Sequence, residues 1–205
     1  MRGVTSLQEE LFVPYCRNDG EVEVYSKSDF VFLHRFTVPG LSQRGEHDMI
    51  ACAEHRCVYI ADSDVHRIDE KNLSVSKQEL HCKPCGLSVV RHRRGSVDTV
   101  RLLVACRLSG TGILVELNAQ GQCTREVVLE SSLSSLWHAV QLKTGNYVIS
   151  CRGYWCARGE KIGIADRQGK VKQSYGDWWV PCGRKLLRGA CHIAVDSDGF
   201  VFCRR

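Results

Sequence analysis

The feature that most constrains this chain is a dipeptide that returns at near-constant spacing. Cys-Arg closes an apolar run at Cys16-Arg17, Cys106-Arg107, Cys151-Arg152 and Cys203-Arg204. The step from Cys106 to Cys151 is 45 residues, and that from Cys16 to Cys106 is 90, two such steps. At the midpoint of the longer step lies Val58-Tyr59-Ile60-Ala61-Asp62, an apolar run with Ala61-Asp62 in place of Cys-Arg. The final step is 52 residues, and the Gly- and Trp-bearing stretch 176–189 absorbs the excess. A fixed period of this size signals stacked supersecondary units, none of which buries its apolar face alone.

Each unit repeats the same internal order. In the fourth, strands are expected at 137–142, 147–151, 162–165 and 171–175, with turns at 143–146 and 166–169. In the third they are expected at 86–90, 101–106, 113–117 and 124–129, and in the second at 49–52, 57–61, 65–68 and 74–80. Inner strands such as Val58-Tyr59-Ile60-Ala61 are apolar at successive positions, which suits burial on both faces; the fourth strand, as in Val171-Lys172-Gln173-Ser174-Tyr175, is more polar and suits an outer edge. Four strands per period define an all-β chain of propeller blades. The units fall at 8–45, 46–83, 84–135, 136–189 and an incomplete 190–205, one partial propeller domain. The first unit is read without its first strand and the fifth without its third and fourth. Six such units need about 270 residues, so the chain reads as about four and a half blades, a fragment of a six-bladed ring; a four-bladed ring closed by the two ends is the alternative.

Composition narrows the setting. At 205 residues and 43% hydrophobic content the chain has enough apolar material for a real core. The first ten residues carry no apolar signal segment, and no window approaches a membrane span, which points to a cytoplasmic protein with no membrane partner. Twelve cysteines in a chain of this length are expected to be mostly reduced, small apolar side chains within strands. A net charge of +5 is modest and spread along the chain.

At the strand-one and hairpin positions the chain resembles NHL-repeat six-bladed propellers, the module found at the C-terminus of tripartite-motif ubiquitin ligases and of related RNA-binding regulators. The resemblance rests on His138-Ala139-Val140, His192-Ile193-Ala194-Val195-Asp196 and Gly86-Leu87-Ser88-Val89. It rests also on the Asp-x-x-Gly hairpin from Asp166 to Gly169 and on the strand-one to strand-two turn at 195–201. Where the family often reads Val-Ala-Asp, this chain mostly has Cys-Arg. The resemblance implies an interaction module that binds a protein or RNA partner through a loop face, as the substrate-recognition part of a tripartite-motif-type ligase. It implies no catalytic residues, cofactor or small-molecule substrate.

Candidate binding residues follow from the repeat. Arg17, Arg107, Arg152 and Arg204 occupy equivalent positions, so they are expected on one edge of the ring, where they attract phosphate or acidic peptide or stand as solvated, ion-paired loop residues. Trp178 and Trp179 in the long fourth-to-fifth link point opposite ways if extended, leaving one as an interface anchor or a cap. The run Arg91-His92-Arg93-Arg94 is expected as an exposed loop on the opposite face. Cys82-Lys83-Pro84-Cys85 lacks a second Cys pair and reads as structural. No metal site is assigned. The alternative is a metal-dependent hydrolase or lyase in which His138 and His192, both at strand-one starts, ligate a metal.

Overall fold

The computed structural model describes residues 3–15, 20–42, 47–94, 97–151, 161–176, 192–196 and 198–204, with the side chains of 92–98 and 203–204 left out. Arg17, Arg152, Trp178 and Trp179 lie outside the described residues, and of Arg204 only the backbone is described.

The described residues form four four-stranded antiparallel sheets and one two-stranded sheet. Blade one comprises β1 (Thr5–Leu7), β2 (Glu10–Tyr15), β3 (Glu21–Ser26) and β4 (Phe32–Thr37). Blade two comprises β5 (Asp48–Cys52), β6 (Cys57–Ala61), β7 (Val65–Asp69) and β8 (Val75–Gln78). Blade three is β9 (Lys83–Arg94), β10 (Val97–Leu108), β11 (Thr111–Leu117) and β12 (Cys123–Val128). Blade four is β13 (Leu136–Gln141), β14 (Tyr147–Cys151), β15 (Lys161–Ala165) and β16 (Val171–Tyr175), and β17 (His192–Val195) pairs with β18 (Val201–Arg204). The helical content described is one short 3₁₀ turn, Ser131–Leu133.

Each blade is a meander in which sequence neighbours pair, and the first strands of successive blades lie side by side. The core sits in the seams between blades. On β10, Leu102, Val104 and Cys106 pack toward blade two, while Leu103 and Ala105 pack toward blade four. Successive side chains of a strand point to opposite faces, so a strand between two neighbours must be apolar at every position. Phe12, Val22 and Val24 meet Met49, Val58 and Ile60 in the first seam, and Val148 and Ile162 meet Ile193 in the last. Each such side chain, fully buried, contributes about 1.5–3 kcal/mol.

Two expectations are corrected. Blade one has a first strand: Thr5–Leu7 pairs antiparallel with β2, Thr5 against Phe12 and Leu7 against Glu10. It escapes a pattern search because it is three residues long and buries only Leu7. The run from Arg91 to Arg94 is not a loop. It continues β9, paired in register with β10 out to Arg94 against Val97, so blade three carries a hairpin 12 residues long on each side.

The Asp-x-x-Gly turns form as expected. At 166–170 the Gly169 N–H donates to the Asp166 carbonyl, Asp166 Oδ1 accepts from the N–H groups of Gln168 and Lys170, and Gly169 takes a φ of 86°. Blades one and two use a longer turn in the same place. There Phe30 N–H donates to the Ser26 carbonyl and Leu73 N–H to the Asp69 carbonyl, with φ of 59° and 54°.

Candidate functional site

The first strands carry more than apolar contact, because each seam is stitched by a hydrogen bond involving a side chain. Ala51 N–H donates to Thr5 Oγ1 at 2.8 Å, joining blades two and one. Leu87 N–H donates to Asp48 Oδ2 at 2.7 Å, joining three and two. Ser88 Oγ donates to the Ala139 carbonyl at 2.7 Å, joining three and four. Ile193 N–H donates to His138 Nδ1 at 3.4 Å, joining five and four. Among the described residues the first strands of neighbouring blades pair in no common sheet, and polar side chains, with the Gly3 N–H to His47 carbonyl bond, supply directional contacts that apolar packing lacks.

These stitches converge on Asp48, His138 and His192, from blades two, four and five, whose polar atoms lie within 4.8 Å of one another. His138 Nε2 is 3.9 Å from Asp48 Oδ2, and His192 Nδ1 is 3.7 Å from Asp48 Oδ1. The imidazole rings are 5.2 Å apart. The sequence pairs the two histidines but gives no sign of Asp48, which follows His47 at the start of blade two and is singled out by no spacing. Nor are the histidines ladder-equivalent: His138 opposes Ser150, one residue before Cys151, whereas His192 opposes Arg204, one residue after Cys203.

The chemistry of this trio decides what it can hold. His138 Nε2 is 2.9 Å from the Leu87 carbonyl, which only accepts, so Nε2 carries the proton. Nδ1 takes the Ile193 N–H, which only donates, so it has no free lone pair. Burial lowers the pKa of His138, the negative Asp48 opposes that shift, and the ring is neutral at pH 7. Asp48 is fixed by two backbone donors, Leu87 N–H and its neighbour Met49 N–H at 3.0 Å. With His138 committed at both nitrogens, Asp48 and the half-buried His192 remain as ligands, one short of the three that a catalytic zinc uses. The trio fits a latch between blades rather than a metal centre.

Arg107 is half-buried at the seam of blades three and four, with its guanidinium 5.6 Å from the centre of the Trp137 ring. Trp137 and Cys85 both occupy irregular points where the first strand bulges against the second. Gly86 follows the first bulge, and a Cβ there would meet the Trp137 carbonyl and come within 2.9 Å of His138 Cα. Glycine is needed there because two backbones meet.

The outer strands differ in character. β8 and β16 are polar, reading Val-Ser-Lys-Gln and Val-Lys-Gln-Ser-Tyr. Blade one instead exposes four consecutive apolar residues at and before its outer strand: Phe30 at 69%, Val31 at 54%, Phe32 at 49% and Leu33 at 47%. Phe30 and Leu73 occupy the same turn with the same positive φ, yet Leu73 packs on the first-seam core and Phe30 faces solvent. No sequence motif marks this edge; its signal is the unbroken apolar run beside a turn.

No protein-family model and no curated protein sequence matches the chain. Solved structures do. The β-propeller domain of Cps50 (Swd1) from Myceliophteria thermophila aligns over 95% of this chain and 58% of its own, at 12% identity and a TM-score of 0.59. The Dos1 propeller aligns over 94% and 49%, at 9% identity and a TM-score of 0.55. A protein from Lactobacillus plantarum aligns over 98% and 69%, at 13% identity and a TM-score of 0.55. The chain therefore has a β-propeller fold and spans about half to two thirds of the propellers it resembles. Among the described residues no helix is long and apolar enough to cross a membrane.

Proposed function

We propose that this chain is a protein-binding propeller of the NHL kind, and that its partner adds an extended strand along β4, the outer edge of blade one. The observation that carries this reading is the exposed run from Phe30 to Leu33 on an edge strand with unpaired backbone groups. Natural sheets blunt such edges with charge, and β8 and β16 follow that rule. An edge left apolar is suited to strand addition, in which main-chain hydrogen bonds give affinity and alternate side chains give specificity. The proposed contact lies on an outer edge, whereas the sequence reading puts it on a loop face. In a tripartite-motif-type ligase such a contact would serve substrate recognition.

The RNA reading draws on Arg17, Arg107, Arg152 and Arg204. Arg107, whose side chain is described, stacks on Trp137 at a seam, which favours the protein partner.

Selection of displayed random peptides on the immobilised chain tests the proposal. Enriched peptides should be extended and apolar at alternate positions, and should lose at least tenfold in affinity against the double variant Phe30→Ser, Leu33→Lys. They should bind Arg107→Ala as they bind the parent. Peptides or RNA that depend on Arg107 and ignore the blade-one edge would overturn it.

A further inference from the structure

The seam between blades two and three is packed at its core, but where β7 and β8 face the end of β11 and the turn after it, a cleft of about 280 Å³ opens. That volume is at the small end of the range for ligand pockets. Tyr59, Val65 and Leu117, all buried members of the seam core, form its apolar wall. The blade-three turn comes down close on blade two, because a Cβ on Gly121 would lie 2.5 Å from Gln78 Oε1.

The blade-two ladder decides which polar groups enter the cleft. Tyr59 stands opposite Arg67, Arg67 opposite Ser76, and Val65 opposite Gln78. Residues paired in this way share a sheet face, so blade two turns an arginine, a serine and a glutamine toward blade three. Lys77 also borders the cleft, but its place opposite His66 puts it on the other face, and its Nζ is 2.9 Å from Asp64 Oδ2. Among the described residues that line the cleft there is no carboxylate. The Tyr59 hydroxyl is already committed. His55 Nε2 lies 3.1 Å from the Val100 carbonyl, which only accepts, so His55 Nδ1 takes the Tyr59 O–H at 2.8 Å.

Arg67 is incompletely used. Its Nη2 donates to the His55 carbonyl at 3.2 Å and lies 3.8 Å from Asp69 Oδ2. Its Nε–H is buried and has no acceptor, a condition that folded proteins rarely leave without a partner. The side chain is still 28% exposed and lines the cleft, so an acceptor can reach the guanidinium from that side. A planar carboxylate matches it in shape and charge. Asp69 offsets part of that charge and Lys77 is held by Asp64, so the cleft suits one negative charge rather than two.

We propose that this cleft binds a small monocarboxylate, with the carboxylate on the Arg67 guanidinium and an apolar stem against Tyr59, Val65 and Leu117. The site lies in a different seam from the blade-one edge and does not depend on it.

The test is a titration of the ¹⁵N-labelled full chain with benzoate, followed by NMR at the Arg67 Nε–H and at the Gly121 amide. Both signals should move together and saturate, with a Kd on the order of 1 mM. Benzyl alcohol, of similar size without the charge, should bind at least tenfold more weakly. So should inorganic phosphate, which has charge without an apolar part. Arg67→Lys keeps a positive charge but loses the planar fork, and should weaken benzoate at least tenfold as read at Gly121. If that variant does not fold, Gln120→Trp serves, since Gln120 is an exposed turn residue bordering the cleft and a large ring there should block entry with a similar loss. Shifts that never saturate, benzyl alcohol or phosphate binding as tightly as benzoate, or benzoate binding unchanged in either folded variant would overturn the proposal.

Discussion

The carboxylate of Asp48, at the head of blade two, accepts a hydrogen bond from the backbone N–H of Leu87 in blade three at 2.7 Å. Removing it leaves that N–H buried without an acceptor. Asp48→Ala should therefore cost about 1–3 kcal/mol, and Asp48→Asn, which keeps an acceptor, should cost less. Urea midpoints compare the two, and an Asp48→Ala midpoint equal to that of the parent would contradict the stitching role.

Buried histidines give the chain a pH-dependent stability. Burial lowers the pKa of both His138 and His66, against the pull of Asp48 on the first and of Asp62 and Asp64 on the second. In the unfolded chain both titrate near the ordinary value of about 6.5. Their contribution is complete above that pH and is lost as pH falls below it toward each folded value, because the unfolded chain takes up the proton first. Each histidine can add a slope of at most about 1.4 kcal/mol per pH unit. Urea midpoints at pH 7.5 and 5.5 should show the loss, and His138→Gln should reduce it. A midpoint that holds or rises on acidification would count against neutral burial.

Zinc titration checks the commitment of both His138 nitrogens. Calorimetry with Zn²⁺ should show no saturable site that His138→Gln removes. A micromolar site lost in that variant would mean that the ring gives up its bonds to Leu87 and Ile193 in favour of a metal.

Much of the fold was legible because blade periodicity is written in strand composition. The runs around Val58, Leu103 and Val148 are apolar at successive positions because both their faces pack against neighbouring blades. The turn at Asp166 was legible because only glycine takes its positive φ without strain. The site was much less so. Asp48 is the first residue of an ordinary strand, and its meeting with His138 and His192 depends on how three blades converge. The edge at Phe30 stands out only once Leu73, its counterpart in blade two, is seen to be packed. Thr5–Leu7 and the extension of β9 were missed because a short strand and a basic strand both lack the apolar pattern.

Close backbone contact at Gly86 makes a sharp substitution test. Gly86→Ala would drive a methyl group against the Trp137 carbonyl and His138 Cα, and overpacking of this kind costs about 1–3 kcal/mol or more. Gly110 has a positive φ of 86° but open space around it, so Gly110→Ala should cost only about 1 kcal/mol. Thermal unfolding of the two variants gives the comparison. Equal losses would mean that the approach of blades three and four is not close.

The proposed partner edge is tested most directly by hydrogen exchange of the β4 amides with and without a peptide selected on the chain. Strand addition should slow exchange at alternate amides between Phe32 and Thr37 by at least tenfold and leave β8, β12 and β16 unchanged. Protection around Arg107 with none on β4 would contradict the account.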